Sequence, residues 1–214
     1  KYWDLYERKS IKQPENFNHI PEGAPKMSIS SWPEMRSYSN IPKKGQVSDS
    51  IAIDLIHGYY ATISYVDALI GKILEELQEQ ELDQNTIVIL VSDHGYHLQE
   101  HTQWAKFTSY NTSTQVPLVI YNPFSKTNGT TNALTSLVDI YPTLAELCSL
   151  EVPENQLDGI SLVPILNDTN LVGKSHVFIK KTKAFTIKTR DFSYTEYLKP
   201  EDNSIIDKML YDLS

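Results

Sequence analysis

Residues Ser92-Asp93-His94-Gly95-Tyr96-His97-Leu98-Gln99-Glu100-His101 gather more metal-competent and proton-competent side chains than packing alone explains. Asp93 offers an oxygen ligand and His94 a nitrogen ligand. Gly95 lets the backbone turn tightly beside whatever is bound. His97, Glu100 and His101 follow within the next seven residues. The block succeeds Thr86-Ile87-Val88-Ile89-Leu90-Val91, an apolar, β-branched run that reads as a buried parallel strand. Open α/β sheets place their ligands at the carboxyl ends of such strands.

Other readings compete for the same residues. His97, Glu100 and His101 spell His-x-x-Glu-His, the inverzincin zinc-protease pattern, which needs both imidazoles on one helix face. No clear third ligand follows downstream. Asp93 alone could cap a helix. His97 reads by default as a satisfied polar residue beside the site, and His101 divides between supporting the site and touching a substrate. Lys106, in Trp104-Ala105-Lys106-Phe107, is by default a solvated lysine. Its aromatic flanks favour partial burial facing a polar pocket, where an ammonium stabilises a transferred phosphoryl or sulfuryl group.

The 214 residues suffice for one large domain or a core with an appendage. A hydrophobic content of 40% with 21% charged residues places the chain among globular proteins. The net charge of −8 argues against a nucleic-acid partner, because phosphate binding wants a basic surface. No apolar run approaches the roughly 20 residues of a membrane-spanning helix. The single cysteine, Cys148, sits in an apolar helical setting and is expected to be buried. Asn111-Thr112-Ser113, Asn128-Gly129-Thr130 and Asn167-Asp168-Thr169 match the glycosylation sequon, which matters only for a protein secreted in a eukaryote.

The elements that must position the site are legible in outline. Residues 1 to about 47 are rich in Pro, Ser, Asn and Lys and read as an irregular segment lying over the surface of something larger. Ser48 or Asp49 can cap a helix in which Ile53, Ile56, Tyr60, Ile63, Val66, Ile70, Ile73 and Leu77 recur at helical spacing. Pro117-Leu118-Val119-Ile120-Tyr121 is a second strand, and a further helix is expected over 134–150. Short β-type runs at 176–180, 184–189, 192–198 and 208–213, separated by turns at 181–183 and 190–191, predict a small antiparallel sheet. The expected division is an α/β layer over 1–165 and an antiparallel β subdomain over 166–214.

The block from Ser92 to Lys106, with Trp104 between, resembles the second signature block of the type I, formylglycine-dependent sulfatases, and is most like the iduronate-2-sulfatase branch. Five further segments resemble that family in order. They are Lys1-Tyr2-Trp3-Asp4-Leu5-Tyr6, Gly58 to Asp67, Val116-Pro117-Leu118, Val138-Asp139-Ile140-Tyr141-Pro142-Thr143-Leu144, and Leu157 to Leu162. Tyr194-Thr195-Glu196-Tyr197 and Leu210-Tyr211-Asp212-Leu213-Ser214 resemble its C-terminal sheet. The resemblance implies an alkaline-phosphatase-like α/β fold, C-terminal portion, with parallel-sheet αβ units followed by a small antiparallel sheet. It implies hydrolysis of a sulfate ester, as on a sulfated glycan or 2-O-sulfo-iduronate. It assigns Asp93 and His94 to a divalent metal, usually calcium. Lys106 and His101 become catalytic candidates, and Lys106 and His97 substrate contacts. It also implies an extracytoplasmic setting, periplasmic, secreted or lysosomal.

No Cys/Ser-x-Pro/Ala-x-Arg motif, from which formylglycine is made, occurs in the sequence; Cys148 is followed by Ser149-Leu150-Glu151. The nucleophile is therefore expected upstream of Lys1, in an N-terminal part of the same protein, and this chain alone is expected to be inactive. Gln99 and Thr102 stand where the family often has glycine. A phosphodiesterase or phosphonate hydrolase of the same superfamily is the enzymatic alternative, since Asp-His-Gly does not distinguish sulfur from phosphorus. A non-catalytic module that binds sulfated glycans is the alternative of another class.

Overall fold

Ser48 starts the principal helix: its hydroxyl accepts the Ile51 N–H at 3.4 Å, satisfying one of the orphan donors of the first turn. In the computed structural model, which describes residues 1–153 and 156–214, this helix, α1, runs Asp49–Glu79. Two compact units emerge, Lys1–Pro123 and Phe124–Ser214.

In the first unit, α1 buries Ala52, Ile56 and His57 near its start. Ala52 and Ile56 meet Ile11, Trp32, Met35, Ile41, Val47 and Trp104 in one hydrophobic core. Burial of side chains of this size contributes about 1.5–3 kcal/mol each. Residues 1–47 thus contribute to a core within this unit, which their composition did not suggest. They form four single-turn 3-10 helices, at Trp3–Leu5, Arg8–Ser10, Lys26–Ser28 and Met35–Ser37. Their apolar residues are too widely spaced for any periodicity, yet the turns deliver them to α1. Farther along, α1 leaves Ile63, Val66, Ile73 and Leu74 exposed.

The apolar strand is β1, Val88–Val91. Its partner is β4, Leu118–Tyr121, and the pairing is antiparallel, with Val91 opposite Leu118. The antiparallel direction of this pair follows from the connection. Parallel neighbours need a crossover that carries the chain back along the sheet, whereas 92–117 folds locally at one end of the pair. Leu90, Val91 and Val119 are exposed rather than buried on both faces. Within that connection, β2 (His97–Leu98) and β3 (Trp104–Ala105) form a hairpin, and α2 (Asn111–Thr114) is a single turn.

In the second unit, Ser136 and Asp139 form a capping box over the 3-10 turn Leu137–Asp139, which leads into α3, Ile140–Leu147. The helix is shorter than the span 134–150. Cys148 lies just past its end and is exposed, and Ser149 turns away with φ +54°. The expected burial of Cys148 fails because the apolar stripe ends one residue earlier. A short α4, Val163–Asn167, precedes a four-stranded antiparallel sheet in sequence order: β5 (Val177–Lys181), β6 (Ala184–Lys188), β7 (Phe192–Leu198) and β8 (Ile205–Asp212). Ala184, Thr186, Ser193, Thr195, Tyr197 and Met209 are buried on it, and the Thr186 and Thr195 hydroxyls hydrogen-bond at 2.7 Å. Residues 124–165 group with this sheet. One reason is that Leu134 bridges Lys174 and the Lys174 ammonium donates to Asp139 at 2.6 Å.

Candidate functional site

The loop leaving β1 is held from two sides. The Ser92 hydroxyl donates to the His94 carbonyl at 2.8 Å, and the Gly95 N–H donates to the Ser113 carbonyl, on α2, at 2.9 Å. Gly95 is packed so closely that a Cβ built on it would stand 2.0 Å from the Thr112 carbonyl oxygen. Glycine is required here by contact with backbone. Tyr96 stacks on Tyr59 of α1 with ring centroids 5.3 Å apart.

Between these supports sit Asp93 and His94. One Asp93 oxygen accepts the His94 N–H at 3.1 Å, and the other lies 3.4 Å from His94 Nε2. His94 Nδ1 is 2.9 Å from the Gly95 carbonyl, to which it can only donate. Nε2 then faces the carboxylate, with a lone pair when the ring is neutral and as an ion pair when it is protonated. Two facing electron-pair donors 3.4 Å apart are complementary to a cation, and the spacing suits neighbouring ligands at about 2.3–2.6 Å from a hard ion. The Asp93 side chain is 84% exposed, so its lone pairs are open to a ligand. Among the described residues no group of three or more His, Cys, Asp or Glu side chains is placed to hold a metal. Asp93 and His94 would supply two donor atoms to a coordination shell and not the whole of it.

The other two imidazoles are engaged elsewhere. His97, on β2, is fully buried, with Nε2 2.8 Å from the Thr108 hydroxyl. That hydroxyl also meets Ser113 Oγ at 2.8 Å and the Tyr110 N–H at 3.4 Å. If Thr108 donates to the ring, Nδ1–H points toward the Glu100 carboxylate 3.8 Å away, beyond a hydrogen bond. Burial pushes the His97 pKa down to about 4, with the charge of His101 acting in the same direction and a hydrogen bond to the Glu100 backbone opposing it. The expectation that His97 touches substrate is therefore corrected: a ring with no exposed surface supports the loop from beneath. His101 uses both ring nitrogens on the N-terminal segment, Nδ1 with the His19 carbonyl at 3.0 Å and Nε2 with the Asn16 amide at 3.2 Å. The inverzincin reading fails on geometry, because His97 lies on a strand and His101 in a left-handed turn rather than on one helix.

The hairpin register pairs His97 with Ala105, so Lys106 follows directly on the strand that backs the site. Lys106 is partly buried, as its aromatic flanks suggested, with Nζ 3.4 Å from a Glu34 oxygen and 6.0 Å from the centre of the Phe107 ring. Sequence reasoning missed Glu34. Its only signal is its place between Trp32 and Met35, both buried, on the turn that presents it. Three residues of the hairpin connection adopt positive φ, Gln99 (+87°), His101 (+52°) and Thr102 (+62°), as does Ala105 (+64°) on β3. Gln103, fully buried, ties this strained turn down by donating to the His101 carbonyl at 3.1 Å and accepting the Ser30 N–H at 2.7 Å.

A family model described as Sulfatase matches residues 9–150, a span that holds all these groups. The chain belongs to the sulfatase family. Arylsulfatase K of Rattus norvegicus is 30% identical over 203 residues, covering 88% of this chain and 35% of that protein. Arylsulfatase K of Homo sapiens is 34% identical over 169 residues, or 73% of this chain and 31% of that one. Iduronate 2-sulfatase of Mus musculus is 28% identical over 166 residues, 63% of this chain and 30% of that one. The chain thus spans about a third of the length of these curated relatives. A protein solved with its substrate D-glucosamine-2-N,6-O-disulfate matches with a TM-score of 0.68 at 26% identity over 78% of this chain and 36% of that one. A phosphonate monoester hydrolase from Silicibacter pomeroyi matches with a TM-score of 0.68 at 23% identity over 79% and 37%, which shows the fold alone. The fold is the alkaline-phosphatase-like α/β fold, carrying a small antiparallel sheet. Among the described residues no helix is long and apolar enough to cross a membrane.

Proposed function

We propose that this chain carries part of the active site of a sulfuric ester hydrolase that removes sulfate from a sulfated glycan or uronate, 2-O-sulfo-iduronate being the candidate sugar. The observation that carries the reading is the pair of donor atoms, Asp93 Oδ2 and His94 Nε2, facing each other beyond β1 inside the family-matched segment. They would hold a divalent cation, calcium being the candidate. Such an ion, when bound, polarises a sulfate oxygen and offsets charge on it. Asp93 supplies the charge-neutralising carboxylate, and His94 is oriented by its own bond to the Gly95 carbonyl. Lys106 places an ammonium where charge grows on the leaving oxygen. His101 fixes residues 16–19 against the site loop. The nucleophile of this reading is a formylglycine in another segment of the same protein, and the setting is extracytoplasmic.

Two measurements test the reading. Calorimetric titration of the complete protein with calcium should show binding that Asp93→Ala abolishes and His94→Ala weakens; full binding by Asp93→Ala would return Asp93 to a capping role. In the complete protein, Lys106→Ala should cost roughly a hundredfold in turnover of an aryl sulfate, and Lys106→Arg should restore only part of it. Turnover near that of the parent in Lys106→Ala, with the melting temperature unchanged, would make Lys106 a surface residue.

A further inference from the structure

Lys106 is the cation assigned above to the sulfate group, yet its ammonium lies 3.4 Å from a carboxylate, Glu34. An exposed pair of this kind is ordinarily worth little and means little. Two observations set this one apart. Glu34 rides on a rigid support: Trp32 and Met35 on either side are 4% and 1% exposed, and the Ser37 hydroxyl donates to the Glu34 carbonyl at 2.6 Å. The lysine is partly buried on a strand end pinned by the hairpin.

The pair carries no net charge, and that has a consequence for what Lys106 can attract. A lone ammonium draws a doubly charged ligand more strongly than a singly charged one. A carboxylate beside it cancels that extra attraction. A sulfate ester carries one negative charge, whereas a phosphate monoester carries close to two above its second pKa of about 6. We propose that Glu34 is a specificity-determining residue, which sets the Lys106 subsite for singly charged sulfate esters and against doubly charged phosphate monoesters. The proposal rests on the reading of Lys106 as the anion-binding residue.

Binding of two probes, phenyl sulfate and phenyl phosphate, tests it by calorimetry without any turnover. At about pH 8, Glu34→Gln and Glu34→Ala should each shift the ratio of the two affinities about tenfold toward phenyl phosphate, the size of one screened unit charge near a surface. Glu34→Asp should keep the parent ratio. At about pH 5 phenyl phosphate is mainly a monoanion, and the shift should vanish. The other ionisable groups near the loop are Tyr38, Tyr59, Tyr96 and Glu100, with Tyr96 stacked on Tyr59. Burial holds the Tyr59 and Tyr96 phenols above their ordinary range, so both stay neutral in this window. A ratio unchanged in Glu34→Gln at about pH 8, or shifted equally at both pH values, overturns the proposal. Lys106→Ala separates the two levels. Loss of phenyl sulfate binding there, beside an unchanged ratio in Glu34→Gln, removes only the role of Glu34. Unchanged binding in Lys106→Ala, or no binding of either probe by the parent, removes the anion subsite and this proposal with it.

Discussion

Asp93 and Asp139 are both aspartates at the junction of regular elements, and the structure treats them in opposite ways. Asp139, at the start of α3, is fully buried and saturated. It accepts the Ser136 N–H at 2.8 Å, the Ile160 N–H at 2.9 Å and the Lys174 ammonium at 2.6 Å. Asp93, beyond β1, is 84% exposed and accepts one N–H, from its own neighbour. A buried carboxylate with three donors on its two oxygens holds a fold together. One whose lone pairs are open beside an imidazole lone pair is available for chemistry. Residue type and chain position alone would not separate the two.

Four changes would break or sharpen that contrast. The largest effect is expected from Asp139→Ala, which strands the Lys174 ammonium and two backbone donors. It should cost about 3–5 kcal/mol in urea unfolding, and a loss below about 1 kcal/mol would mean that water replaces the carboxylate at no cost. Next comes acid. His97 binds its proton at about 4 when folded and near 6.5 when unfolded. The unfolded chain therefore takes up the proton first. The stability due to the neutral ring is present above about pH 6.5 and drains away as pH falls toward about 4, by up to about 3 kcal/mol. Melting curves across that window should be steeper for the parent than for His97→Gln, and equal slopes would remove His97 as the acid-sensitive group. Thr102 is a β-branched residue held at φ +62°, so Thr102→Gly should raise stability by roughly 1 kcal/mol as strain is released. A drop instead would show that the lost side-chain packing outweighs it. The smallest effect belongs to Asp93→Ala, which should change apo stability by no more than about 0.5 kcal/mol. A larger loss would turn Asp93 into a structural residue like Asp139.

Much of the fold was legible because its elements are local. The helical spacing from Ile53 to Leu77, with Ser48 before it, marks α1 directly, and hairpin turns at 181–183 and 190–191 mark the antiparallel sheet. The antiparallel β1–β4 pairing was not legible, because an apolar run has the same pattern whichever way its neighbour runs. The core contribution of residues 1–47 was hidden for a related reason: Ile11, Trp32 and Met35 are gathered by turns rather than by a period. At the site, Asp93, His94 and Gly95 announced themselves by adjacency. Glu34 meets Lys106 across 72 positions of chain (106 − 34), a separation that no local pattern encodes. The strained turn was half legible. Gln99 and Thr102 stand where glycine is common in the family, and both take the left-handed conformation that glycine adopts freely.

Gly95 lies on a polar loop and is only partly buried, the kind of position at which substitutions are ordinarily harmless. The Thr112 carbonyl 2.0 Å from its would-be Cβ belongs to backbone that cannot rotate aside. Every other residue type carries that carbon. In a saturation scan of this chain, Gly95 would therefore resemble Trp104 in the core more than its loop neighbours. Alanine would be as poorly tolerated as many larger residues, because the first carbon does the damage. Loss of function at this position would follow from displacement of the His94 backbone, without any contact between the new side chain and a ligand.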